Sequence, residues 1–187
     1  MALEKKSFAV YLKQARQYGI GEFLEIISEM SQESMKQGLL DRKTKELITL
    51  GISLHKRCNR CINIHTAAAL KAGASQNELE TVRKTVLFMD AVPHSHAELW
   101  GTWEQAWREF ARSRGDMSHS ARELVALAIA IIKQHEGSIR LHVSCARDFS
   151  ISPEQIFEVV PITLLMDGAP AMSQIPRIVE AVELAFV

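Results

Sequence analysis

Residues 44–93 align without gaps on residues 121–170, a shift of 77 positions, with 14 identities in 50. Chance would supply only about three. The matches include Glu46/Glu123, Leu47/Leu124, Leu50/Leu127, Ile52/Ile129, Lys56/Lys133, Ile62/Ile139, His65/His142, Ala69/Ala146, Asp90/Asp167 and Pro93/Pro170. A chain that repeats itself in this way must bury the same apolar face twice, and the economical solution is two like units packed on each other. The expectation is therefore one compact domain over residues 1–187, with repeats at about 38–107 and 115–187 packed face to face.

Each unit reads as helical. In ELITLGISLH the apolar positions 47, 48, 50, 52 and 54 are too dense for a solvated helix, so this one is buried. INIHTAAALKAG is rich in Ala and Leu and stops at Gly73, a residue suited to a helix C-terminus. Ser75-x-x-Glu78 is a capping box opening another helix, and Ser152-Pro153-x-Gln155 repeats the device with proline at the first helical position. Trp100, Trp103, Trp107 and Phe110 recur at helical spacing, as core or subunit interface. Phe8, Tyr11, Leu12, Phe23, Leu24 and Ile27 predict one or two further helices before residue 40. No stretch alternates with period two, so the fold class is all-α, two related helical repeats in one domain.

The chemistry lies in the first repeat, where Glu46, Cys58, Cys61 and His65 form E-x11-C-x2-C-x3-H. A C-x-x-C pair cycles between dithiol and disulfide or holds a metal. HKRCNRC falls between two helical patterns, which puts both cysteines at a helix start, where unpaired N–H groups and the helix dipole favour a thiolate. Lys56, Arg57 and Arg60 add positive charge. A thiol pKa lowered by about two units makes the group mostly ionised at neutral pH. His65 is one turn beyond Cys61 and two beyond Cys58, so the three share a face. If the preceding helix packs antiparallel, the Glu46 carboxylate reaches His65 and fixes its tautomer. The second repeat keeps Glu123 and His142 but has His135 and Ser138 in place of the cysteines. The unit thus forms without the dithiol, which argues that the pair is functional. The repeat equally allows a purely structural Glu–His pair, and a zinc site on Cys58, Cys61, His65 and Glu46 or His55 is the chemical rival.

Gly38 to Ile48 (G-x-L-D-x-K-T-K-E-L-I) and Cys58 to Ala74 (C-N-R-C-I-N-I-H-T-A-A-A-L-K-A-G-A) resemble the opening and active-site helices of the alkylhydroperoxidase D and carboxymuconolactone decarboxylase superfamily. The resemblance covers roughly residues 35–175, and the duplication is similar to the two-repeat alkylhydroperoxidase D form. It implies an all-helical subunit assembled as a homo-oligomer, a trimer or hexamer, that reduces hydroperoxides through a redox-active Cys58–Cys61 disulfide without a further cofactor. By it Cys61 attacks the peroxide, Cys58 resolves the sulfenic acid, and Glu46 with His65 relays protons. A thiol reductant or a peroxiredoxin partner would close the cycle. Alkylhydroperoxidase D carries a histidine just before the second cysteine, where this chain has Arg60. The residues alone also allow Cys58 as the nucleophile. The alternatives in function are a carboxymuconolactone decarboxylase-like lyase, whose chemistry needs no dithiol, and a non-enzymatic redox sensor or zinc-binding module.

The remaining features bound the partners. Lys and Arg number 22 and so do Asp and Glu, so no basic field recruits nucleic acid or an anionic membrane. The longest apolar run, Leu124 to Ile132, is too short to span a bilayer, and MALEKKSFAV lacks the apolar run of a secretory signal. With only three cysteines, the expectation is a cytoplasmic protein whose disulfide is transient. Cys145 reads as an inert core thiol, PHSH (His94, His96) as a polar helix start before a metal pair, and IVEAVELAFV as a partner-facing helix.

Overall fold

A computed structural model describes residues 7–94 and 97–187, and every regular element among them is helical. An arm of α1 (Phe8–Ala15) and α2 (Gly21–Ser34) is joined by a kink over Arg16–Ile20, where Tyr18 and Gly19 leave helical geometry and Gly19 adopts φ 89°. The first repeat continues as α3 (Arg42–His55), α4 (Asn59–Lys71) and α5 (Gln76–Asp90). Next come α6 (Ala97–Arg112), α7 (His119–Ile132), α8 (Glu136–Asp148), α9 (Pro153–Phe157), α10 (Val159–Asp167), α11 (Ala169–Met172) and α12 (Ile175–Ala185). None of these helices is long and apolar enough to cross a membrane.

Local chemistry sets the boundaries. The Asp41 carboxylate accepts the Thr44 N–H at the start of α3. Both capping boxes close in full: Ser75 with Glu78, and Ser152 with Gln155. The α5 equivalent in the second half is broken in two, because Pro161 has no N–H for the Phe157 carbonyl and its ring crowds that turn.

Helices α3 and α7 cross at the centre, buried along most of their length. Gly51 makes the crossing possible, since a Cβ there would lie 2.6 Å from Val125 Cγ1. The halves exchange contacts reciprocally, which explains several of the identities. Lys56 pairs with Asp167 of the other half, and Lys133 Nζ donates to the Met89 carbonyl at 2.6 Å. Helix α2 rests on α10, as α6 rests on α5, where Trp103 Nε1 donates to the Phe88 carbonyl at 2.9 Å.

The 77-residue register extends upstream of residues 38 and 115, for α2 and α6 occupy matching positions. Trp100, Trp103 and Trp107 align with Phe23, Ile26 and Met30, yet the two helices differ in burial. Trp107 is fully buried and Trp103 nearly so, making this stripe core, whereas Phe23 is 62 % and Ile26 52 % exposed. The second difference concerns the outer helices. Helix α8 is covered by α7 on one side and by α12 on the other, through Ile178, Ala181 and Ala185. The expected partner-facing C-terminal helix thus spends its apolar face inside the subunit, leaving Leu184 and Val179 outward. Helix α4 packs chiefly on α3 and leaves Ile64 and Leu70 exposed.

Candidate active site

The turn from α3 to α4 is built the same way in both halves. Arg57 takes a left-handed φ of 55°, and the Cys58 N–H then bonds the Ser53 carbonyl at 3.1 Å. In the second half Gln134 has φ 55° and His135 N–H bonds the Ala130 carbonyl at 3.2 Å. The residue that follows caps the next helix: Cys58 Sγ accepts the Cys61 N–H at 3.4 Å, and His135 Nδ1 accepts the Ser138 N–H at 3.1 Å. The Ser138 hydroxyl also donates to that nitrogen at 2.9 Å, so the neutral His135 ring carries its proton on Nε2. One backbone design therefore presents two thiols in one half and an imidazole with a hydroxyl in the other. Cys58 and Cys61 are joined as a disulfide, with Cα atoms 5.3 Å apart, and both are partly exposed.

Behind the sulfurs, the antiparallel packing of α3 on α4 brings Glu46 to His65. His65 Nδ1–H donates to Glu46 Oε2 at 2.8 Å, which leaves Nε2 as the free proton acceptor. Glu46 Oε1 takes Arg42 at 2.7 Å, one turn earlier on α3, and Arg42 is fixed in turn by the Met35 carbonyl. The carboxylate side chain is 2 % exposed and the imidazole 22 %. In this disulfide form the His65 ring is hydrogen-bonded to neither sulfur among the described contacts; the ring stands one turn along α4 from Cys61.

The matched pair in the second half is sealed. His142 Nδ1 bonds Glu123 Oε2 at 2.8 Å, both fully buried, and Trp107 Nε1 donates to Glu123 Oε1 at 3.0 Å. His142 Nε2 has no hydrogen-bond partner, and the imidazole stands perpendicular to the Trp107 indole, ring centroids 4.8 Å apart at 89°. The acid is thus buried in both halves, while the base is partly open to solvent in the half with the cysteines and sealed in the half without them.

The four residues singled out from the sequence form two pairs, Cys58 with Cys61 at the turn and Glu46 with His65 on the helices that flank it. The cations expected to flank the thiols are more dispersed. Lys56 is drawn to Asp167, and Arg60 lies over the Phe8 ring of α1, 3.7 Å from its centroid. His55 bonds Asp90 at 2.6 Å, away from the sulfurs, and no three His, Cys, Asp or Glu side chains among the described residues are grouped to hold a metal. His94 Nδ1 donates to the Val92 carbonyl and its ring abuts His135; His96 lies outside the described residues. Burial pushes His135 below the usual histidine range, helped by the neighbouring His94 and Lys133. Cys145 is a buried thiol pushed up to about 12 by burial and then by Glu123, which makes it inert. Sequence reasoning missed Arg42, although its position four residues before Glu46 is a helical pairing distance. It also missed Trp107 as the partner of Glu123, which no local signal gives.

A model of the carboxymuconolactone decarboxylase family matches residues 21–102 and again residues 96–181, so each match takes in one repeat together with its leading helix. No curated protein and no solved structure matches the chain.

Proposed function

Because the chain belongs to the carboxymuconolactone decarboxylase family, we propose that it works as a thiol-dependent peroxidase of the alkylhydroperoxidase D kind within that family. The observation that carries this reading is the contrast between the halves. The histidine of the Glu–His pair is reached by solvent in the half that carries a C-x-x-C at a helix N-terminus and is sealed in the half that lacks one. The Cys61 thiolate attacks the terminal oxygen of a hydroperoxide ROOH; an S–O bond forms as the O–O bond breaks, and the alkoxide leaves as ROH with a proton from the site. Cys58 then attacks the Cys61 sulfur, the disulfide forms, and hydroxide departs as water. Two thiols are oxidised and one peroxide is reduced. His65 Nε2 is the group that moves protons, with Glu46 and Arg42 holding its tautomer. An external thiol, or a peroxiredoxin exchanging disulfides with the partly exposed pair, supplies the two electrons that reset the site. The same reading places the chain in the reducing cytoplasm and treats the uncovered apolar face of α2 as a contact between copies in a homo-oligomer.

Fully reduced protein mixed with a slight excess of cumene hydroperoxide tests the reading, with the thiols followed by peptide mass spectrometry. A stoichiometric Cys58–Cys61 disulfide forming within seconds is the expected result, with Cys58→Ser halting at a trappable Cys61 sulfenic acid. Thiols that stay reduced for hours would overturn it. Decarboxylation of a lactone acid that survives in the Cys58→Ser, Cys61→Ser double variant would mark the chain as a lyase instead.

A further inference from the structure

A groove of about 340 Å³ lies along α4 on the far side of the Glu46–His65 pair, lined by Arg42, Glu46, Ala68, Lys71 and Ala72. Its lining belongs to the first half. The residues aligned with Arg42, Ala68, Lys71 and Ala72 are His119, Cys145, Asp148 and Phe149, so both alanines meet bulkier counterparts and the lysine an exposed acid. The Phe149 ring packs on His119 with centroids 5.1 Å apart, Arg112 sits over Phe149 and 3.8 Å from Asp148, and Arg108 donates to Cys145 Sγ at 3.5 Å. Two alanines therefore open the groove where a cysteine and a phenylalanine close it, and the acid at the rim becomes a lysine.

The charge in the groove is unbalanced in favour of an anion. Glu46 has both oxygens occupied, by Arg42 and His65, so its charge is matched by Arg42. Lys71 has no ion-pair partner among the described residues and is exposed at the rim. Cys61, His65, Ala68 and Ala72 recur at i, i+4, i+7 and i+11, a single face of α4. At about 1.5 Å per residue, Ala68 to Ala72 stands roughly 10–16 Å from Cys61 along the helix. The volume is that of a small-ligand pocket, and the alanine methyls give it an aliphatic floor.

We propose that this groove binds the carboxylate end of the substrate through Lys71 and Arg42, and that the substrate is an aliphatic hydroperoxide with its O–O bond a long chain away from that carboxylate. The proposal rests on the peroxidase reading for the peroxide end and on the groove alone for the carboxylate end. The chain lies along the stripe of α4, past Ala68 and over His65, and delivers the O–O bond to Cys61.

Two measurements separate the ends. Decanoate, which carries no peroxide, is titrated calorimetrically into the disulfide form of wild type, Lys71→Glu and Ala72→Phe, the last restoring the residue that fills the second half. Saturable binding by wild type, weakened tenfold or more in both variants, is expected; equal binding by all three, or none by wild type, overturns the groove. Disulfide formation is then timed with linoleic acid hydroperoxide and with its methyl ester. A preference of tenfold or more for the acid, lost in Lys71→Glu, is expected, and equal rates for acid and ester in wild type overturn the substrate class. If decanoate binds as expected while no hydroperoxide oxidises the thiols, the peroxidase reading falls and the anion groove stands.

Discussion

Removing the same carboxylate from each half should produce opposite phenotypes. In Glu123→Ala, two fully buried donors lose their acceptor: His142 Nδ1–H and Trp107 Nε1–H. His142 Nε2 already lacks a partner, so the ring would be left with none. Each stranded donor costs about 1–3 kcal/mol, so the variant should lose about 2–6 kcal/mol before any cavity contribution. At the middle of that range the melting temperature of a chain this size falls by about 8–16 °C. In Glu46→Ala the partners have an escape. Arg42 is 56 % exposed and turns to water, and His65 is exposed enough to be hydrated where it stands. The loss should be about 1 kcal/mol. Activity should rank the other way: Glu46→Ala frees the His65 tautomer and should slow thiol oxidation by about tenfold or more, while Glu123→Ala, assayed well below its melting point, should leave the rate near wild type. Urea denaturation of both variants, with stopped-flow oxidation by cumene hydroperoxide, tests the pair. A Glu46→Ala protein as destabilised as Glu123→Ala would refute the argument that exposure, not pairing geometry, divides the two roles.

Three further outcomes follow from the packing and the titrating groups. Iodoacetamide at pH 8 should label Cys58 and Cys61 of the reduced protein and spare Cys145, whose thiol is pushed up to about 12, until urea unfolds the chain; rapid native labelling of Cys145 would contradict its burial. His135 is held below its ordinary value in the folded state, so the unfolded chain binds the extra proton first and stability is lost as the pH falls through about 6.5. His135→Asn, which keeps a capping acceptor, should shrink the difference in urea midpoint between pH 7.5 and 5.5, and an unchanged difference would assign the acid sensitivity elsewhere. Gly51→Ala should destabilise by about 1–2 kcal/mol despite the better helix propensity of alanine, because its Cβ meets Val125 Cγ1 at 2.6 Å. In a Val125→Ala background the same substitution should become neutral or stabilising, and additivity in that double-mutant cycle would disprove the close contact.

What the sequence shows of this molecule and what it hides divide along one physical line. Periodicity, capping boxes and the spacing from Cys58 to His65 are local, and each appears in the structure where the pattern puts it. The Glu46–His65 bond needs only that adjacent helices run antiparallel, and their short connection leaves little else possible. The repeat then carries the inference further than any motif, since Glu123 and His142 show that the pair persists without the thiols. The hidden part depends on how non-adjacent helices cover one another. Trp107 reaching Glu123, Lys56 reaching Asp167 and α12 covering α8 are set by packing between halves, to which no window of neighbouring residues is sensitive. Yet the divergence of the two sites is written in six aligned positions once the packing is known. Arg42, Cys58, Cys61, Ala68, Lys71 and Ala72 stand against His119, His135, Ser138, Cys145, Asp148 and Phe149. At the turn these exchanges trade an imidazole and a hydroxyl for two sulfurs; along α4 they trade a filled interior for a groove. The scaffold itself, its caps, turn and Glu–His bond, is common to both. The first half therefore differs from the second mainly in access, and access to a thiol pair beside a base is what a reaction with a diffusing oxidant requires.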